Sequence, residues 1–348
     1  MMTYEFIHNR FRLNGNHYTK KDLVDIAVEL VKEGSAYQKQ LGLFFLDWFD
    51  QSPEITLKTS GTTSKPKEIL VQKQAMVNSA LATGEFFELL PGDHSLCCLP
   101  VNFIAGKMMM VRALVLGLEL EFVEPSARPL EQSNKKYHFV ALTPMQVEES
   151  IDQLNRINKI IIGGSQVNPD LQKKLKGIPS EIYETYASTE TLTHIAARNI
   201  LEPNFKLLPG VSIHTDNRGC LVIKAPRISD QEIVTNDLVD LKSDTEFTWI
   251  GRVDNVVNSG GIKLFPEVIE SKLQQKIPHR FFAGGIPDQK LGEKLVLVIE
   301  AAPYELDKNL FDALDKYEIP KQVFFSDEFL ETESGKIKRL EILKSLPL

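Results

Sequence analysis

The chain has 348 residues, 43% of them apolar and 25% charged, a mix that supports a folded core larger than one ordinary domain and excludes a disordered or collagen-like chain. Forty Lys and Arg against 47 Asp and Glu give a net charge of −7, which excludes bulk binding to nucleic acid, since phosphates need a basic surface. No stretch reaches the roughly 18 apolar residues of a membrane helix, and the three cysteines offer neither a disulfide framework nor zinc-ligand spacing. The N-terminus lacks a basic-then-apolar leader, so a reduced, cytoplasmic enzyme without membrane insertion is expected.

Leu23, Ile26, Ala27, Leu30 and Val31 recur at three- and four-residue spacing and predict an amphipathic helix closed by Gly34. A short strand, EITL, then runs into the hydroxyl-rich turn Thr59 to Thr63, followed by Lys65, Pro66 and Lys67. Backbone N–H groups on such a turn can cradle an anion, with lysine adding a point charge. The spacing is not that of a Walker loop, and on the residues alone a solvated turn is an equal reading. Strands are predicted at 95–101, 118–124, 138–143, 159–164 and 181–186. Helices lie between them, including 169–177, with Pro169 at its start. This alternation predicts an α/β layered sheet. After about 205 the texture changes to glycine turns and short alternating strands. Strands at 281–286 and 294–300, with helices at 266–276 and 307–317, predict a smaller α+β unit from about 255.

The run TSGTTSKPKE (59–68) resembles the phosphate loop of the adenylate-forming superfamily, approximately TSGTTGxPKG, shared by acyl-CoA synthetases, luciferases and peptide-synthetase adenylation domains. Ser64 and Glu68 stand where glycine is usual. Four further segments follow in the family's order. IIIGGSQV (160–167) supplies Gly163, Gly164 and Ser165 for the adenine. YASTE (186–190) supplies Tyr186 to stack on the ring, Ser188, Thr189, and Glu190 as an oxygen ligand for magnesium, with Ala187 in place of glycine. IVTND carries Asp237 for the ribose hydroxyls, with Asn236 where the family commonly has glycine. The stretch 249–270 resembles the interdomain hinge: Arg252 for ribose or phosphate, Asp254 as the hinge, and Gly260 and Gly261 near the pantetheine tunnel. Near the C-terminus, ESGKIKRLEI places Lys336 at the family's catalytic lysine.

The resemblance implies an α/β fold: a large layered N-terminal domain, 1–253, and a small mobile α+β lid, 254–348. It implies ATP, Mg2+ and coenzyme A, and two half-reactions, acyl-adenylate formation and then thioester formation. Thr59, Ser60, Gly61, Thr62, Thr63 and Lys67 would hold the β- and γ-phosphates. Lys336 would bridge the α-phosphate and the attacking carboxylate. Only 58 residues precede Thr59, so the N-terminal subdomain is expected to be reduced.

The acid is narrowed by three segments. In LPVNFIAGKMMMVRAL, Phe103 takes the acyl-pocket position and Arg112 follows on the next helix. ALTPMQ (141–146) and TLTHIAAR (191–198) resemble the branch that activates 2-succinylbenzoate for menaquinone synthesis. Ser188, Thr191, Thr193 and His194 suit an aromatic acid with a second carboxylate, and Arg112 is a candidate counter-charge. The plainer readings are an Arg112 paired with a structural acid and a hydrogen-bonded core histidine. The alternatives are a ligase for another aromatic or short-chain acid, or a catalytically silent nucleotide-binding relic. Whether the chain forms a homo-oligomer is left open.

Overall fold

A computed structural model describes residues 2–59, 67–131, 133–188, 190–331 and 337–347. Helices α1 (Lys20–Glu33) and α2 (Ala36–Phe49) each begin in a reciprocal capping box, Thr19 with Asp22 and Ser35 with Gln38. Their close approach depends on Gly42, where a Cβ would lie 2.7 Å from the Ala27 carbonyl oxygen. Leu41, Phe44, Phe45 and Trp48 of α2 are buried beneath them.

The strands Glu54–Thr59 and Lys67–Gln72 pair antiparallel, with Thr59 opposite Lys67. Helix α3 (Lys73–Phe86) follows, then α4 (Ile104–Leu116), α5 (Pro144–Glu149), α6 (Pro169–Lys174), α7 (Pro266–Leu273) and α8 (Arg339–Ser345).

A twelve-stranded sheet runs through the larger part of the chain. Its parallel part orders the strands 12–13, 119–122, 94–97, 137–142, 157–162 and 181–187. Beyond 181–187 the pairing turns antiparallel, through 194–199, 205–207, 246–252, 233–243, 220–224 and 212–215. Helices cover both faces of the parallel part. Phe44, Met76, Met108 and Phe139 pack on one side, and Leu142, Val147, Ile160 and Leu171 on the other. Burial on both faces explains why runs such as 160–162 are apolar without alternation. Helix α4 is buried from Gly106 to Val115 on every side, which carries its single arginine into the interior.

After a single 3-10 turn at Val253–Asn255, a five-stranded sheet forms from 257–259, 262–264, 281–288, 292–300 and 322–326, with α7 and α8 packed on it. The helix expected over 307–317 is instead a string of turns. Its backbone bonds close at three residues, Leu310 N to Asp307 O and Leu314 N to Phe311 O, and the Asp307 carboxylate accepts from the Asn309 N–H. An aspartate that caps its own following backbone competes with helix at that point. Among the described residues no helix is long and apolar enough to cross a membrane.

Candidate active site

Two clusters form where the parallel sheet turns antiparallel. The first gathers on Asp237. Tyr186, at the end of the strand Glu181–Ala187, donates its hydroxyl to Asp237 Oδ2 at 2.6 Å, and Trp249 Nε1 donates to Oδ1 at 3.2 Å. Arg252 NH1 lies 3.7 Å from Oδ1, and its NH2 donates to Asp254 at 3.1 Å. A register shift explains this convergence. Asp237 pairs with Arg252, but one strand carries an extra residue, so Val239 faces Trp249 rather than Ile250. Residues 237 and 239 share a face, and the bulge therefore turns the indole onto Asp237. Burial and the adjacent Asp237 carboxylate push the Tyr186 phenol upward, so it stays protonated and donating. Its ring packs edge-on against Phe205 and Phe247.

The second cluster is buried. His194 Nδ1 lies 3.4 Å from Arg112 NH2 and from Thr193 Oγ1, and Nε2 lies 3.4 Å from Thr83 Oγ1. Guanidinium only donates, so Nδ1 accepts and the proton sits on Nε2. Thr83 can receive it because its own hydroxyl donates to the Ser79 carbonyl at 2.9 Å. Burial, and next Arg112, hold His194 well below the usual imidazole range, and it is neutral. Arg112 is 2% exposed, and burial lowers it to about 10. Among the described residues it meets no carboxylate, and its Nε has no hydrogen-bond partner. The expected structural acid is absent from that set. His194 also lines a cleft with Ser79, Ala82, Leu208, Gly210 and Arg227.

Other predicted residues fall elsewhere. Ser188 and Thr191 bond each other, Ser188 N to Thr191 Oγ1 at 2.9 Å and Thr191 N to Ser188 Oγ at 3.3 Å. Their polar atoms build the turn that presents Glu190, whose side chain is exposed. Phe103 is exposed at the start of α4, nine residues before Arg112 and so roughly 13 Å away along the helix axis. Gly163, Gly164 and Ser165 form the exit of the strand Ile157–Ile162. Gly164 has φ +93°, a conformation that needs glycine. Gly260 and Gly261 make the turn between the strands Val257–Ser259 and Ile262–Leu264. Ser60, Gly61, Thr62, Thr63, Thr189 and Lys336 lie outside the described residues, and Thr59 and Lys67 are described only as a backbone pair. Trp249 and Thr83 were not legible beforehand. A tryptophan opening the WIGR strand, beside a predicted ribose ligand, was the available signal.

The family described as AMP-binding enzyme matches residues 55–219. A solved structure from Dyadobacter fermentans, an acyl-CoA synthetase (AMP-forming)/AMP-acid ligase II-like protein, is 36% identical. The alignment covers 92% of this chain and 98% of that one, with a TM-score of 0.63. The chain belongs to the family of AMP-binding enzymes. A 2-succinylbenzoate–CoA ligase of Lactococcus lactis is 26% identical over 85% of this chain and 72% of its own length. One from Enterococcus faecalis is 24% identical over 81% and 67%. The o-succinylbenzoate CoA synthetase of Bacillus subtilis, solved with its acyl-adenylate, shares the fold at a TM-score of 0.72 and 20% identity, over 82% of this chain and 68% of that one.

Proposed function

We propose that this chain is an ATP-dependent, AMP-forming acid–CoA ligase whose acid is 2-succinylbenzoate, converted to 2-succinylbenzoyl-CoA for menaquinone synthesis. A carboxylate oxygen attacks the α-phosphorus of ATP and pyrophosphate leaves. The thiol sulfur of coenzyme A then attacks the acyl carbon and AMP leaves. Positioning and charge compensation carry such chemistry. Asp237 accepts from the ribose hydroxyls, with Tyr186, Trp249 and Arg252 fixing its orientation. The loop 59–67 takes the terminal phosphates and Lys336 the reacting oxygens. Glu190 fits magnesium, since its exposed carboxylate supplies one hard oxygen and leaves the remaining positions to phosphate and water. Bound there, the ion neutralises phosphate charge. The boundary between the acyl- and nucleotide-binding part and the lid is assigned to 253/254, with Asp254 as the pivot. The use of ATP and CoA supports a cytoplasmic location.

The observation that carries the choice of acid is Arg112. A buried cation without a carboxylate partner is costly, and one backing the pocket histidine suits a ligand that brings a second negative charge. The relatives named as 2-succinylbenzoate–CoA ligases support the same acid. The test is AMP release with 2-succinylbenzoate, with and without CoA, beside analogues lacking one or the other carboxylate. CoA-dependent turnover that falls about tenfold or more without the second carboxylate is expected. ATP–pyrophosphate exchange with a different acid would retain the reaction and discard this substrate. Silence across an acid panel would leave a nucleotide-binding relic.

A further inference from the structure

Asn236 occupies the position where the family's Thr-Gly-Asp has glycine, and its side chain is fully engaged. Its amide Nδ2 lies 3.2 Å from Asp254 Oδ2 and 3.4 Å from Oδ1, while its Oδ1 accepts from Arg218 NH1 at 2.9 Å. Both partners fix the amide's orientation: guanidinium can only donate and an ionised carboxylate can only accept. Arg218 is itself immobilised. Its NH2 donates to the Thr235 carbonyl at 2.9 Å and its Nε to Asp216 Oδ2 at 2.8 Å. Asp216 is tied down in turn by the Arg218 and Cys220 backbone N–H groups.

The same oxygen, Asp254 Oδ2, also accepts from Arg252 NH2 at 3.1 Å. The next residue, Asn255, donates to Glu267 on α7, across the start of the five-stranded unit. The short segment Val253–Asn255 is therefore bonded to the twelve-stranded sheet through Asp254 and to the smaller unit through Asn255. Glycine at 236 could make none of the bonds to Asp254 or Arg218. Aspartate would keep Arg218 but set a second carboxylate against Asp254.

We infer that Asn236 is a positioning residue for the two-step reaction: with Arg218 behind it, it latches Asp254 in the orientation seen and sets how readily the 253–256 segment turns between the half-reactions. This rests on the reading of Asp254 as the pivot. The latch is independent of the acid pocket, and it meets the nucleotide site through Arg252, which spans Asp254 and Asp237, and through the strand backbone that Asn236 shares with Asp237.

Two readouts test it on the full chain, with Asn236→Gly and Asn236→Asp. Hydrogen exchange of the 253–256 segment, where Val256 N–H is bonded to the Val253 carbonyl, should speed up about fivefold in Asn236→Gly, the size of one hydrogen bond. It should speed up more in Asn236→Asp. The ratio of ATP–pyrophosphate exchange to acyl-CoA formation should shift by a similar factor. Unchanged hinge exchange in both variants would overturn the latch. Faster exchange with an unchanged ratio would overturn its role in positioning, leaving a structural bond. If the wild-type chain shows no pyrophosphate exchange with any acid, the proposed reaction fails, and the hydrogen-exchange comparison still decides the latch.

Discussion

The Asp237 and Arg112 clusters lie in the same sheet-turn region and differ in how their charge is met. Asp237 accepts from two donors, Tyr186 and Trp249, has the Arg252 guanidinium 3.7 Å away, and keeps 13% of its side chain open to solvent. Arg112 is sealed inside α4 with a neutral histidine, a thioether at 3.6 Å and, among the described residues, no acid. A compensated group of that kind can exchange one hydroxyl donor for another at little cost, which suits a ribose. An uncompensated buried cation holds a standing penalty that a ligand carboxylate would relieve. The contrast separates a site organised for a fixed cosubstrate from one organised to select an acid.

The widest test asks whether the two clusters serve one reaction. Lys336→Ala should lower adenylate formation by about 10²–10³ while thioester formation from preformed adenylate is largely retained. Equal loss of both steps, measured by pyrophosphate exchange and by single-turnover thiolysis, would break the coupling. Asp237→Asn should then raise KM for ATP by roughly 10- to 100-fold, the range for hydrogen bonds to a charged group, and leave KM for the acid in place.

Arg112→Met should do the reverse. The acid's kcat/KM should fall by about tenfold, KM for ATP should hold, and the unfolding midpoint should not drop, because an unpaired buried charge has been removed. A lower midpoint with unchanged acid kinetics would make Arg112 structural. The smallest effect concerns His194. Its folded pKa lies below the unfolded value of 6.5, so the unfolded chain binds the extra proton first as pH falls. Stability tied to this group is present above pH 6.5 and is lost below it, by about 1–2 kcal/mol near pH 5. Thermal unfolding against pH should show that acid limb flattened in His194→Gln.

Comparing expectation with structure shows which residues could be read early. The strands 138–143 and 159–164 were legible because burial on both faces writes itself as nearly unbroken β-branched and apolar runs, and 181–186 because its burial alternates. Strand–helix alternation announced the layered α/β sheet. The helix at 307–317 misled because its apolar spacing fits a helix, while Asp307 closes turns that periodicity does not register. The mutual bonds of Ser188 and Thr191 were not legible, since a hydroxyl beside a binding motif can equally bond its neighbour.

By itself, the sequence determined the family, through glycines, hydroxyls and single charges whose order along the chain cannot vary without losing the chemistry. By motif alone it assigned Asp237 to the ribose, Arg252 to ribose or phosphate and Asp254 to the hinge. Tertiary structure decided everything that depends on residues far apart in the chain. A one-residue bulge turned Trp249 onto Asp237, and packing on every side of α4 left Arg112 without an acid among the described residues. The Asn236 amide, which in the sequence is only a substitution for glycine, became a bond to Asp254 because two strands and a turn bring them within 3.2 Å. Local pattern records the chemistry a residue can do. Which partner it meets is set by register and burial, and neither is written at any single position.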